Sequence, residues 1–167
     1  AHGMGLASPW PGMIMISHWH ARPFEKLVPE DLAGYRRALA AVRKAPSPTR
    51  PEGKAYVRYW EGRLEFGVGY LEALFAVKKG AIAEKAARDA QAASDEPGYR
   101  KSLGESLRHA EAALDTMIHA INTFADVARD RADAGAVATM GEFVYRPLKK
   151  KVQDLKAELN KTAEPAL

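Results

Sequence analysis

The chain has 167 residues, of which 47% are hydrophobic and 28% are charged, so it fits one folded domain and is not a disordered polypeptide. It contains no cysteine, which excludes disulfides, thiolate metal sites and a cysteine nucleophile. The formal net charge is only +4 and most cations alternate with Asp and Glu, so we expect no nucleic-acid partner. No apolar stretch approaches the roughly 20 residues that a bilayer span needs, so we expect no membrane partner.

Residues 1–30 differ from the rest of the chain and form a predicted N-terminal extended segment. Four prolines break any helix there, because proline lacks an N–H group and clashes with the preceding turn: Pro9, Pro11, Pro23 and Pro29. The apolar run 12–17 has no helical spacing and is interpreted as a short strand or an irregular stretch. Residues 1–4 resemble a cloning remnant, and no signal-peptide pattern follows them.

A first helix is predicted to begin at Pro29, Glu30 and Asp31, since early acidic residues suit the positive end of the helix dipole. Its apolar stripe follows helical spacing and consists of Leu32, Tyr35, Leu39 and Val42. Three prolines in residues 46–51 end this helix and form a linker. The helical domain is therefore assigned to residues 31–167.

Two long helices are predicted next, over residues 52–93 and 99–129, with a turn at 94–98 between them. The first of the two has a wide apolar face, but after Lys85 it becomes polar and alanine-rich, so we expect that end to project or fray. The second has the most regular apolar rhythm in the chain: Leu103, Leu107, Ala110, Leu114, Ile118, Ile121 and Phe124 or Ala125.

A last helical segment is expected after an interruption at residues 130–135, with a kink or restart at Pro147. Short turns between periodic helices favour antiparallel neighbours. The sequence therefore predicts an all-α fold, an antiparallel bundle of three to four helices dominated by two long ones, preceded by the extended N-terminal segment.

Histidines are the first candidates for chemistry. His18 and His20 flank Trp19, and on an extended chain both imidazoles point to one face, as in the beginning of a zinc or copper site. No cysteine and no suitably spaced carboxylate completes such a site, so we interpret them as polar loop histidines and predict no metal and no cofactor. A metal-binding bundle built on these two residues is kept as a third functional hypothesis.

Carboxylates and aromatic residues are the other candidates. Asp126, Asp130 and Asp133 could include a catalytic pair, but helix-surface ion pairs explain their spacing equally well, so no catalytic residue is assigned. An aromatic set on the second helix could stack against sugars or bases: Tyr56, Tyr59, Trp60, Phe66 and Tyr70. At helical spacing such residues more often belong to a core, and that is our interpretation.

Two segments carry a family resemblance. Residues 16–23, Ile-Ser-His-Trp-His-Ala-Arg-Pro, resemble a segment near the end of the catalytic barrel in large bacterial glycosidases of the α-glucuronidase and agarase kind. Residues 127–138 and 145–149 resemble the helical region that follows such barrels. The resemblance implies that the catalytic carboxylates lie upstream of this chain, and it places four residues near a sugar site as candidate ligand-binding residues: His18, Trp19, His20 and Arg22.

The leading hypothesis is therefore a non-catalytic helical accessory domain of a carbohydrate-active protein, which meets carbohydrate only through a parent catalytic domain. The alternative is a self-contained interaction module that forms homo-oligomers or binds a partner. The first hypothesis implies a secreted or periplasmic location, and the second a cytoplasmic one.

Overall fold

The computed structural model describes residue 19 and residues 29–161. The helices are α1 (Pro29–Lys44), α2 (Pro51–Ala92), α3 (Glu96–Ala125), α4 (Arg131–Met140) and α5 (Arg146–Lys161), and one π-helical turn (Gly141–Tyr145) joins α4 to α5. No strand occurs within residues 29–161. The predicted all-α bundle dominated by two long helices is confirmed.

Helix α1 runs antiparallel to the first half of α2. It begins at Pro29, and of the predicted apolar stripe Leu39 is buried while the other three members are partly buried. Ion pairs hold the outer edge of this contact, since Arg43 lies 2.8 Å from Glu61 and Arg36 lies 2.6 Å from Glu72. These ion pairs show that α1 and α2 are antiparallel, because Arg43, the later of the two α1 residues, pairs with Glu61, the earlier of the two α2 residues.

Helices α2 and α3 form the centre of the bundle. Their facing sides are buried and rich in small residues, which lets the two backbones approach closely. A Cβ atom added at Gly69 would lie 2.8 Å from the Cβ of Ala120, so glycine is needed there. The largest fully buried side chains of this pair are Phe66, Val77, Leu103, Met117 and Phe124.

The C-terminal end of α2 does not project or fray, so that prediction is wrong. Ala87 is fully buried, Ala83 is nearly so, and Ala90 packs against the core. An alanine-rich stretch has few apolar atoms, so its sequence looks polar. Its small side chains nevertheless form a flat face against which another helix can pack. Asp95 then caps α3 by accepting a hydrogen bond from the backbone N–H of Gly98 at 3.0 Å.

Helix α3 ends at Ala125, earlier than expected, and the interruption covers residues 126–130 instead of 130–135. The cause is Asp130, which caps α4. Its carboxylate accepts hydrogen bonds from the backbone N–H groups of Ala132 and Asp133, at 2.8 and 2.9 Å. The new helix therefore begins where the interruption was predicted.

Pro147 produces a widened turn just before it. In the π turn the backbone N–H of Arg146 donates to the carbonyl of Gly141, five residues back. Proline has no N–H to donate, and in a regular helix its ring would clash with the carbonyl of Phe143. The wider turn relieves that conflict, and the chain continues directly into α5.

Of the predicted extended segment, residues 1–30, the structure describes Trp19, which is helical, and Pro29 and Glu30, which begin α1, so the extended prediction is wrong at these three positions. The Trp19 side chain is 6% exposed and lies against Gly80 of α2, where a Cβ atom would collide with the indole ring. The expected strand at 12–17 lies outside the described residues.

Candidate functional site

Trp19 is the one predicted ligand-binding residue within the described part of the chain. Its indole N–H donates a hydrogen bond to Glu84, and the ammonium group of Lys151 lies 4.9 Å from the ring centroid. These contacts hold the Trp19 ring against the bundle. His18, His20 and Arg22 lie outside the described residues, and a sugar-binding role for the four residues stays a prediction.

The carboxylate that holds Trp19 belongs to an ion network of five side chains from three helices: Glu84, Arg88, Tyr99, Lys151 and Glu158. Lys151 lies 2.6 Å from Glu84, and Arg88 lies 3.2 Å from the same carboxylate. Arg88 also binds Glu158 through both terminal nitrogens, one of them at 2.9 Å. The Tyr99 hydroxyl donates to Glu158 at 2.6 Å. The network therefore joins α2, α3 and α5 around Trp19.

The electrostatics of the ion network indicate a structural role. Hydrogen bonding from Arg88 lowers the pKa of Glu158 to about 2. Burial opposes ionisation of Glu84, but hydrogen bonds from Lys151 and Trp19 outweigh it and hold the pKa of that carboxyl below its ordinary value. Both groups are ionised at neutral pH, so neither can serve as a general acid there.

A second cluster lies at the opposite end of the bundle, where α2 begins and α3 ends. We call it the aromatic patch, and it consists of Tyr56, Tyr59, Trp60, Arg63 and Arg129. The guanidinium of Arg129 lies 3.8 Å from the ring centroid of Tyr59 and 5.8 Å from that of Tyr56. The guanidinium of Arg63 lies 5.9 Å from the Trp60 ring, and Trp60 meets the edge of Tyr56 with the centroids 6.2 Å apart.

A buried carboxylate supports the aromatic patch from below. Asp133 accepts hydrogen bonds from the Tyr59 hydroxyl at 3.1 Å and from the backbone N–H of Arg129 at 3.0 Å. Arg63 lies 3.5 Å from Asp133 and donates to the Tyr59 hydroxyl at 2.6 Å. Arg129 also donates to the carbonyl of Ala55 at 2.6 Å, which ties the loop after α3 to the first turns of α2.

The structure changes the interpretation of the spacing between Asp126 and Asp130. Asp126 and Asp130 do not share a helical turn, because α3 ends before them. Asp130 is the cap of α4, and the buried Asp133 forms an ion pair with Arg63 of α2 instead of a helix-surface pair.

The interpretation of the aromatic set as core holds for two of its five members. Phe66 and Tyr70 are buried, and burial raises the pKa of Tyr70 to about 12. Tyr56 is 57% exposed and Trp60 is 42% exposed, so the core interpretation is wrong for both. Within residue 19 and residues 29–161, no helix covers the rings of Tyr56 and Trp60.

Sequence reasoning did not identify the two arginines of the aromatic patch. Arg63 had a usable signal, since it follows Tyr59 by four residues and Trp60 by three, the spacing at which helical side chains meet. Arg129 had none, because it reaches the patch only through the loop between α3 and α4.

A shallow groove of about 210 Å³ lies between α3 and the π turn, lined by Ile118, Ile121, Asn122, Gly141 and Tyr145. Within residue 19 and residues 29–161, no three His, Asp or Glu side chains come together in a way that could hold a metal ion. Among the helices that the structure describes, none has both the length and the apolar character needed to cross a bilayer.

Comparison with protein-family models, with curated proteins and with solved structures found no match to this chain. The resemblance to the helical region of large glycosidases therefore stays a prediction.

Proposed function

We propose that this chain is a non-catalytic helical accessory domain that acts by contact with another protein or with a further domain of its own chain. The observation that carries the proposal is the aromatic patch. Tyr56 and Trp60 remain about half exposed, although burying large aromatic side chains is among the strongest sources of stability. Aromatic residues and arginine held in place on a surface are the groups that dominate protein interfaces.

The remaining polar clusters support a structural role. Glu84 and Glu158 are neutralised by cations, and Asp133 is occupied by three donors. A general base or nucleophile needs a free position beside it for substrate, and these groups have their partners already. The described surface is therefore suited to contact with a partner.

The sequence resemblance makes a glycosidase catalytic domain one candidate neighbour for this accessory domain. Assaying the isolated chain with oligosaccharides and chromogenic glycosides tests the non-catalytic part of the proposal, and we expect no turnover. Turnover that copurifies with the chain would overturn it.

Contact through the aromatic patch is tested by placing a photo-reactive phenylalanine analogue at Tyr56 and irradiating the cells that produce the chain. We expect adducts of one discrete added mass. The matched control is Ile82, which is 59% exposed on the same helix and lies about 39 Å away along it. No adduct at position 56, or the same adducts at both positions, would contradict the proposal.

The self-contained alternative differs in whether the chain is part of a larger protein. The intact mass of the native polypeptide separates the two. A mass well above 18.3 kDa supports the accessory domain, and a mass near 18.3 kDa supports a self-contained module and contradicts the glycosidase link.

A further inference from the structure

We infer that the aromatic patch binds an acidic polypeptide segment, in which a carboxylate meets Arg129 and a neighbouring apolar side chain packs on Tyr56 and Trp60. This inference rests on the proposed function and names the chemistry of the partner.

The charge distribution along the bundle is the first argument. Residues 43–63 and 126–133 meet at one end, because α1 and α3 both run antiparallel to α2. They contain eight Lys and Arg against five Asp and Glu, an excess of three cations out of the excess of four in the whole chain. Negative charge on a partner is therefore favoured at this end.

The geometry of Arg129 is the second argument. Its guanidinium carbon lies 3.8 Å from the centroid of the Tyr59 ring, and among the described residues one of its five N–H donors is used, for the carbonyl of Ala55. A stacked guanidinium whose edge carries further donors suits a carboxylate, which accepts two parallel hydrogen bonds. Tyr56 lies 5.8 Å from the same guanidinium and Trp60 packs against Tyr56, so both rings are near enough to provide apolar contact.

Two other occupants fit less well. A second copy of the chain would bring one excess of cations against another, which is unfavourable. A nucleic acid would meet three carboxylates that lie among the cations of this end, Glu52, Asp126 and Asp130, and each repels a phosphate backbone. A polypeptide can place its own charges to suit such a mixed surface.

The test is selection from a random 12-residue peptide library displayed on phage, with the full chain as bait. The double variant Tyr56→Ala/Trp60→Ala and the variant Arg129→Gln serve as parallel baits, and Ile82→Ala is the matched control. We expect enriched peptides to combine Asp or Glu with an adjacent apolar residue. A synthetic copy should bind the Arg129→Gln variant about tenfold more weakly, bind Ile82→Ala unchanged, and weaken as salt is raised.

Several outcomes would overturn the inference. Enriched peptides that are neutral or basic would exclude an acidic partner while leaving the crosslinking result at Tyr56, and with it the proposed function, intact. Acidic peptides that bind the double variant equally well would place the site elsewhere. No enrichment, or tighter binding of oligodeoxythymidine or of oligogalacturonate than of any selected peptide, would exclude a polypeptide as the partner.

Discussion

The two ends of the bundle contain the same kinds of side chain, but the tryptophan is buried at one end and exposed at the other. Near the α2–α3 turn, Trp19 is buried and the ion network closes around it with Lys151 and Glu158 from α5. At the other end Trp60 is 42% exposed, and the contribution of α4 is Asp133, which accepts a hydrogen bond from Tyr59. Whether a third helix covers the aromatic group decides whether it stabilises the fold or remains available to a partner.

The largest expected effect on stability comes from comparing the replacement of each tryptophan, Trp19 and Trp60, by alanine. Trp19→Ala should lower the free energy of unfolding by about 3 kcal/mol, since it empties a buried site and removes one of the hydrogen-bond donors to Glu84. Trp60→Ala should lower it by less than about 1 kcal/mol, because much of that ring already contacts water. Urea unfolding followed by circular dichroism measures both, and equal losses would contradict the contrast between the ends.

A smaller effect is expected at Asp133, the buried support of the aromatic patch. Asp133→Ala should cost about 2 kcal/mol, because the Tyr59 hydroxyl and the Arg129 N–H lose their acceptor in a buried place. Asp126→Ala is the control, since that side chain is exposed, and its change should stay within about 0.5 kcal/mol. Thermal unfolding of the two variants measures the difference, and a neutral Asp133→Ala would show that the patch does not need this carboxylate.

The smallest expected effect is the pH dependence that the ion network gives to the free energy of unfolding. Because the pKa of Glu158 is about 2 in the folded protein and ordinarily 4.5, its pairing with Arg88 stabilises the fold above about pH 4.5. That stabilisation is lost as the pH falls toward 2. Partial exposure limits it to about 1 kcal/mol or less.

Urea unfolding between pH 7 and pH 3 tests this contribution, with Glu158→Gln as the comparison. The variant should be less stable at pH 7 and should show a shallower decline on acidification. A decline parallel to that of the unsubstituted chain would mean that other carboxylates carry the acid sensitivity.

Much of the fold follows from local sequence signals. Proline at position 51, the turn before Pro97 and the regular apolar rhythm of α3 were sufficient to place the two long helices within a few residues. Local signals worked there because capping and proline geometry depend on adjacent residues only. The end of α3 was misplaced because residues 126–129 have helical composition, and only the capping contacts of Asp130 reveal the break.

The candidate site was less predictable for a related reason. Trp60 and Phe66 look equivalent in the sequence, but Trp60 is exposed and Phe66 is buried, where it packs against Phe124 of α3. Arg129 joins the aromatic patch from a loop whose path no periodicity describes. Long-range placement of this kind requires tertiary packing to be known.

The π turn also determines the rotational phase of the last helix. Each residue of an α-helix turns its side chains by about 100° about the axis, so the additional residue that the wide turn holds shifts everything after it by about that angle. Removing one residue from Gly141–Tyr145 would leave α5 helical but would rotate Leu148, Val152 and Leu155 out of the core. The length of this turn is therefore as constrained as any buried side chain, including Val144 within the turn itself.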